Sequence, residues 1–278
     1  ATMCQHDFQG RRVFQHRNGD KWNLFLRNQQ VADFWFEAQC RGFLGELQTK
    51  WDGGMSRFGQ PLARQEKSHA QVTSELSLWA GMISCAERKR VRERTLQHLA
   101  QTDWGRRPVH LQLDSGRLTD PRDRQAHNAY LILRHGVGTQ AEYLLFLEDD
   151  LRFNRHLLHN LGRWAPLREK RITLASLYNP GVRLLACDVA HHVSVADPDS
   201  VYGSQALVLS RRTALYLLRH WTEVEGMQDI KMSRLAQRLK RPILYHSPSL
   251  VQHAGKQSVW GGRFHQAVDF EPEWRSAP

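Results

Sequence analysis

The chain has 278 residues, 41% hydrophobic and 24% charged, which is ordinary for one large domain or a domain with a substantial appendage. No stretch approaches the roughly 20 uninterrupted apolar residues of a transmembrane helix, so we expect no membrane-spanning segment. The net charge of +11 favours polyanionic partners such as nucleotides, nucleic acid or an anionic membrane face.

The cysteines and the first residues leave the compartment open. The four cysteines include no CxxC pair, so neither a disulfide scaffold nor a zinc motif is indicated. Free thiols are expected, although Cys4 and Cys40 could pair in an oxidising compartment, and a zinc site adding His6 and His16 has the wrong spacing. The stretch "ATMCQHDFQGRR" lacks the apolar core of a secretory signal, but an anchor or signal could have been trimmed. The localisation is therefore left open: we expect the chain to be soluble as given, and cytoplasmic or lumenal if an anchor was trimmed.

Residues 1–71 are predicted to form an α+β extension packed on a main domain at 72–278. In "RRVFQHRNGDKWNLFL" two apolar runs flank Asn-Gly-Asp, which predicts a β-hairpin. Residues 31–47 show a mostly helical spacing of apolar residues, and residues 50–61 read as a glycine-rich loop.

From about residue 72 strands and helices alternate. Strands are predicted in "ELSLWAGMISCA", "RPVHLQLD", "AEYLLFLEDD", "KRITLASLYNPG", "VYGSQALVLS" and "RPILYHSPSLVQHAG". Amphipathic helices are predicted between them, with Gly136 just past the end of one and with Asn154 and Ser210 as N-caps of two others. Apolar strands bounded by amphipathic helices predict an α/β sheet covered on both faces.

The third strand ends in Glu148, Asp149 and Asp150. Adjacent carboxylates repel one another and raise their own pKa values, and a divalent cation would relieve that repulsion. Hard oxygen ligands suit Mg²⁺ or Mn²⁺. The alternative is a solvated turn whose carboxylates favour the dipole of the next helix. Arg88 and Asp114 follow the first two strands, so we expect them at the same edge of the sheet.

The stretch "YLLFLEDDL" resembles the DXD-type motif, here as E-D-D, of the GT-A fold glycosyltransferases. The order of the stretches around it is similar as well: "ISCAERKRVRERTLQHL", "VHLQLD", "VYGSQALVLSRRTALYLL", "GMQDIKMSRLA" and "PSLVQHAGKQS". The likeness is greatest to the family IV N-acetylglucosaminyltransferases and the related enzyme that adds N-acetylgalactosamine to lipid-anchor glycans. It covers about residues 75–260 and implies a GT-A, Rossmann-like mixed sheet flanked by helices.

The resemblance implies a metal held by Asp150 and His253. It also implies that Asp229 is the base that deprotonates the acceptor hydroxyl, with Glu223 and Glu225 as substitutes if Asp229 only caps its helix. Taken alone, a histidine in a loop is more often an ordinary surface residue.

The resemblance further implies a set of donor-binding residues. Arginines after the first strand would contact the nucleotide, unless they only form a solvated helix face. A glycine before the fifth strand would shape the sugar pocket, unless it marks a strand-edge bulge. The implied donor-binding residues are Arg88, Arg90, Asp114, Glu148, Asp149, Gly203, Gln205 and Lys256.

These features together predict a metal-dependent, inverting glycosyltransferase. It would move a hexose or N-acetylhexosamine from a UDP-sugar to a hydroxyl of a glycan, glycolipid or glycoprotein, using Mn²⁺ or Mg²⁺. The basic charge also allows nucleic acid as a partner, through sugar transfer to a nucleic-acid base or as a non-catalytic binding protein. A nucleotidyltransferase or phosphohydrolase stays open too, because Asp114 could be a second source of acidic ligands.

Overall fold

The computed structural model describes residues 3–8, 11–18, 21–26, 29–33, 76–201, 203–255 and 265–277. Contacts divide the chain into two compact units, Ala1–Leu76 and Ser77–Pro278. The packing of the extension on the main domain stays a prediction.

The first unit contains a four-stranded antiparallel sheet in the order β1-β2-β3-β4. Its strands are β1 (Met3–Phe8), β2 (Arg11–Asn18), β3 (Lys21–Leu26) and β4 (Gln29–Asp33). The pairing of β2 with β3 confirms the predicted hairpin.

The predicted helix over 31–47 is wrong at its start. Residues 31–33 belong to β4, where pairing with β3 supplies the backbone hydrogen bonds that a helix would have supplied. The rest of that helix, the glycine-rich loop at 50–61 and the side chains of Cys4, His6, His16 and Cys40 lie outside the described residues. Cys85 and Cys187 are free thiols, as expected.

The second unit follows the predicted alternation. Its first half contains β5 (Leu78–Ser84), α1 (Lys89–Ala100), β6 (His110–Leu113), α2 (Pro121–Gly138), β7 (Tyr143–Leu147), β8 (Leu151–Phe153), α3 (Leu157–Arg163), α4 (Ala165–Arg168) and β9 (Leu174–Ser176). Its second half contains β10 (Leu184–Asp188), β11 (Val193–Ala196), β12 (Ala206–Ser210), α5 (Arg211–His220), α6 (Gln228–Arg238), β13 (Ile243–His246) and β14 (Val251–His253).

An eight-stranded mixed sheet forms the centre of this unit, in the order β10-β11-β13-β9-β12-β7-β5-β6. Strands β6, β5 and β7 are parallel neighbours, and β9 is parallel to β13, while the other pairs are antiparallel. Helices flank the sheet, which confirms the predicted α/β class. Strand β7 lies between β5 and β12, and all five of its residues are buried.

A two-stranded antiparallel ribbon, β8 with β14, was not predicted. It pairs Leu151 with His253 directly after the acidic triplet. The predicted cap at Asn154 is wrong, because His156 is the N-cap of α3. Asn154 is buried instead, and its amide nitrogen donates to the carbonyl oxygens of Glu271 and Trp274, each at 2.8 Å. Its side chain therefore fastens the C-terminal segment to the unit.

Two other predictions about helix ends have opposite outcomes. The hydroxyl of Ser210 accepts from the backbone N–H of Thr213 at 3.2 Å, which confirms Ser210 as the N-cap of α5. Gly136 does not end its helix, since α2 continues to Gly138. Gly136 is buried, because the ring of Trp79 occupies the space that a side chain would need. None of the helices among the described residues is long and apolar enough to span a bilayer.

Replacing Gly136 by alanine should destabilise the second unit. An added Cβ would lie 2.6 Å from the Trp79 ring and 2.7 Å from Leu144, inside contact distance. We expect Gly136→Ala to cost about 1–3 kcal/mol, measured as a lower melting temperature. The control is Gly138→Ala in the same helix, where nothing lies within 4 Å of the added Cβ. Equal melting temperatures for the two variants would contradict the packing described.

Candidate functional site

A cavity of about 300 Å³ opens at the edge of the sheet where β5, β6 and β7 end. Because these strands are parallel, their carboxyl ends meet there, as the sequence predicted. Nine of the implied site residues line it: Arg88, Asp114, Glu148, Asp149, Asp150, Gly203, Gln205, Asp229 and His253. Arg90 does not, because it is exposed on α1, and Lys256 lies outside the described residues.

The acidic triplet is not a solvated helix cap. Asp149 is 6% exposed and Asp150 is 8% exposed. The next element is the strand β8 rather than a helix, and α3 has its own N-cap at His156. The helix-cap interpretation is therefore wrong, and the burial of these carboxylates needs compensating charge or hydrogen bonds.

Asp149 is held by the first strand and the first helix. The Nε of Arg88 lies 2.8 Å and 3.0 Å from its two carboxylate oxygens, and the hydroxyl of Ser84 donates to Oδ2 at 2.6 Å. The hydroxyl of Thr95 donates to the Asp149 carbonyl at 2.6 Å and accepts from the Leu151 N–H at 3.0 Å. Side chain and backbone are both fixed, so this residue is a rigid part of the cavity wall.

Asp150 has one oxygen engaged and one available. Its Oδ2 lies 2.6 Å from Nη2 of Arg88 and 3.1 Å from Nε2 of His253. Its Oδ1 is buried and receives no hydrogen bond from the described residues. Burial opposes ionisation of Asp150, but the hydrogen bond and charge of His253 and the Arg88 guanidinium outweigh it and hold its pKa below the ordinary value. The pKa of His253 is raised because contact with Asp150 outweighs the effect of burial.

Glu148 is held by side chains of α6 and of the segment before β12. Its Oε1 accepts from the Ser204 hydroxyl at 2.7 Å and from the Gln228 amide at 3.2 Å. Gln228 also donates to the Ser204 hydroxyl at 2.8 Å, which closes a three-membered network. Removal from water, together with the charge of Asp150, raises the pKa of Glu148 to about 7.

Asp229 lies in the first turn of α6, but it is not the cap, because Met227 is the N-cap residue. Its Oδ2 accepts from the backbone N–H of Gly203 at 3.0 Å, and its Oδ1 accepts from the N–H of Ile230 at 2.8 Å. Gly203 has a φ of +87°, which favours glycine. The substitutes Glu223 and Glu225 do not line the cavity. Glu223 instead pairs with surface residues His220 and Arg238.

Asp114 is engaged within the protein. Its Oδ2 accepts from Nε of Arg124 at 2.6 Å, and its Oδ1 accepts from the backbone N–H of Gly116 at 2.9 Å. Both oxygens therefore have partners before any ligand is considered.

A divalent cation fits the surroundings of Asp150. The buried Oδ1 lacks a donor, and an added Cβ at Gly255 would lie 2.8 Å from His253 Nε2 and 3.1 Å from Asp150 Oδ2, so the glycine keeps this space open. Among the described residues no group of three or more His, Cys, Asp or Glu side chains forms a complete metal site. Two protein ligands are nevertheless sufficient for Mg²⁺ or Mn²⁺ where substrate phosphates and water complete the coordination.

Several residues that build the site were missed by the sequence analysis: Ser84, Thr95, Arg124, Gln125, Asn128, Gln228 and His265. Two of them had a usable signal, since Ser84 ends a predicted strand and Gln228 precedes Asp229. The others contact the site only through the tertiary fold.

Comparisons with known proteins give no family. No family model matches the chain, and no curated protein matches its sequence. Among the solved structures that match is that of a mannose-1-phosphate geranyltransferase from Thermus thermophilus, with 11% identity and a TM-score of 0.38. The match covers 61% of this chain and 73% of that one. The function must therefore be inferred from the residues of the cavity.

Replacing Thr95 by valine should destabilise the acidic loop. The variant keeps the shape of the side chain but leaves the buried Leu151 N–H without its acceptor and the Asp149 carbonyl without its donor. We expect a loss of about 1–3 kcal/mol in the free energy of unfolding. Thr119→Val, at an exposed position, is the control and should change stability by no more than about 0.5 kcal/mol. Unchanged denaturation of Thr95→Val would show that these hydrogen bonds do not hold the loop.

Proposed function

We propose that this chain is a metal-dependent, inverting glycosyltransferase that moves a hexose or N-acetylhexosamine from a UDP-sugar to an acceptor hydroxyl. The observation that carries the proposal is the Asp150–His253 pair, with its unpartnered carboxylate oxygen, in one cavity with Asp229. The resemblance of "FLEDDL" and "LVQHAG" to GT-A enzymes supports the same roles. The GT-A assignment itself remains part of the proposal.

In the proposed reaction the acceptor oxygen forms a bond to the anomeric carbon while the bond from that carbon to the diphosphate breaks. Asp229 takes the proton of the acceptor hydroxyl, and its hydrogen bond from Gly203 keeps the carboxylate oriented. Arg88 brings positive charge to the side of the cavity where the leaving diphosphate gains negative charge.

Asp150 and His253 are the residues that would hold Mn²⁺ or Mg²⁺. When bound, the ion supplies a Lewis acid that neutralises charge on the diphosphate. Arg88 binds Asp150 through Oδ2 and so leaves Oδ1 for the ion. Glu148 and Asp149 would contact the ribose or metal-bound water.

The competing nucleotidyltransferase hypothesis requires acidic ligands from two strands for two ions. Asp114 would be the second source, and its oxygens accept from Arg124 and from the Gly116 N–H. Analysis of the products separates the two hypotheses. A nucleic-acid base as acceptor is compatible with the same chemistry and with the net charge of +11.

Product analysis tests the proposal. The protein is incubated with Mn²⁺, a UDP-hexose or UDP-N-acetylhexosamine, and panels of glycan, glycolipid and nucleic-acid acceptors. The proposal predicts release of UDP together with sugar on an acceptor. Release of nucleoside monophosphate or pyrophosphate would contradict it and favour nucleotidyl transfer or hydrolysis.

Asp150→Ala should abolish Mn²⁺-dependent binding of UDP while leaving the fold intact, because it removes a carboxylate ligand. Binding is measured by isothermal titration with and without Mn²⁺, and folding by circular dichroism. Asp199→Ala, at an exposed position outside the cavity, is the control and should bind as the parent does. Retained Mn²⁺-dependent affinity in Asp150→Ala would remove this residue as a ligand.

Asp229→Asn should bind the UDP-sugar near-normally but lose transfer by about 10²–10⁴-fold, since an amide cannot accept the proton. The control is Glu225→Gln, which makes the same chemical change at an exposed residue outside the cavity. Undiminished turnover of Asp229→Asn would exclude it as the base.

A further inference from the structure

Asn128 carries an amide whose orientation is fixed. It lies in α2, is 5% exposed and lines the cavity. Its Nδ2 donates to the carbonyl oxygens of Ser84 and Gln112, each at 3.2 Å. Because both partners are acceptors, only the NH₂ side of the amide can face them. The Oδ1 atom must therefore point elsewhere.

That oxygen has no donor. Oδ1 of Asn128 is buried and receives no hydrogen bond from the described residues, and the same holds for Oε1 of Gln125, which also lines the cavity. An unsatisfied buried acceptor costs about 1–3 kcal/mol. Such a cost in a cavity wall is expected where a ligand supplies the missing donor.

The surroundings of Asn128 indicate what kind of group that ligand presents. The wall residues Ile83 and Pro121 are apolar and Gln125 is neutral, while Asp114 and Arg124 on the same wall pair with each other. Asn128 bridges the ends of β5 and β6, whereas Glu148, Asp149 and Asp150 follow β7 on the other side of β5. Ser84 separates Asn128 from the acidic residues, since its carbonyl oxygen accepts from Asn128 and its hydroxyl donates to Asp149. An uncharged ring with apolar faces and a polar N–H suits this part.

We propose that Asn128 determines which nucleobase the donor carries, by accepting a hydrogen bond from a ring N–H at the base edge. The inference rests on the proposed function, in which that group is N3–H of uracil. Gln125 lies on the same wall, and with its amide reversed its NH₂ would donate to a neighbouring carbonyl of the base. Cytosine presents an unprotonated ring nitrogen at N3, which would face the Asn128 oxygen as a second acceptor.

The first test uses the unaltered protein with Mn²⁺ and three ligands: UDP, CDP and N3-methyluridine diphosphate. We expect CDP and the methylated analogue to bind at least about tenfold more weakly than UDP, which corresponds to about 1.4 kcal/mol. Equal affinities for UDP and CDP would overturn the assignment of Asn128 and leave the proposed function standing. Absence of any UDP binding would overturn both.

The second test asks whether Asn128 causes the preference for UDP. Asn128→Ala removes the acceptor and opens space for the methyl group. If Asn128 contacts N3 of the base, the mutation and the methylation are not additive, so the preference for UDP over the methylated analogue should fall to about threefold or less. Gln97→Ala, at an exposed position of α1, is the control and should keep the full preference. An unchanged preference in a folded Asn128→Ala variant would overturn the inference. If that variant does not fold, the comparison of UDP with CDP decides.

Discussion

The end of β7 carries two buried carboxylates, and the arrangement of the cavity follows from how their charge is balanced. Removing a carboxylate from water costs several kcal/mol unless partners replace the lost hydration. Arg88 supplies one guanidinium to both Asp149 and Asp150, and Nε2 of His253 lies 3.1 Å from Oδ2 of Asp150. These contacts tie the loop after β5, the end of β7 and the end of β14 to one point.

The ribbon of β8 and β14 explains how His253 reaches that point from a distant part of the sequence. Antiparallel pairing places His253 opposite Leu151, and the N–H of Ala254 donates to the Asp150 carbonyl at 2.7 Å. Backbone hydrogen bonds therefore set the position of the imidazole, and its contact with Asp150 follows from the register. On the other side of the cavity, Gln228 and Ser204 hold Glu148, and Gly203 orients Asp229, so α6 and the segment before β12 are held beside the acidic residues.

The sequence predicted the parts of this unit whose signal is local. The apolar run of β7 and the periodic helices α1, α2, α5 and α6 were found because burial on one face leaves a pattern within a short window. Strand β8 was missed because it has three residues and pairs with β14, far along the chain, and the β10–β11 hairpin was missed although its two strands are neighbours in sequence. Gly136 was misread because a glycine needed for close packing and a glycine that ends a helix look the same in sequence.

In the site, too, the sequence predicted the residues with a local signal and missed the contacts that depend on the tertiary fold. The acids at the end of a buried strand, the histidine in "LVQHAG" and Asp229 were candidates because each stands in a recognisable stretch. The sequence did not reveal that Arg88 would contact the acids directly, or that Asp114 would be engaged by Arg124. Both contacts join residues that only the folded sheet edge brings together. The unpartnered oxygens of Asp150 and Asn128 were equally invisible, because a missing partner can be recognised only in three dimensions.

The central claim is that the cavity binds a nucleoside diphosphate together with a divalent cation. The most direct measurement is a thermal-shift screen of the unaltered protein against nucleotides and UDP-sugars, each with and without Mn²⁺, since a ligand that binds only the folded state raises the melting temperature. The account predicts an increase with UDP or a UDP-sugar that requires Mn²⁺. No increase with any nucleotide, combined with a salt-sensitive increase with DNA or RNA, would contradict it.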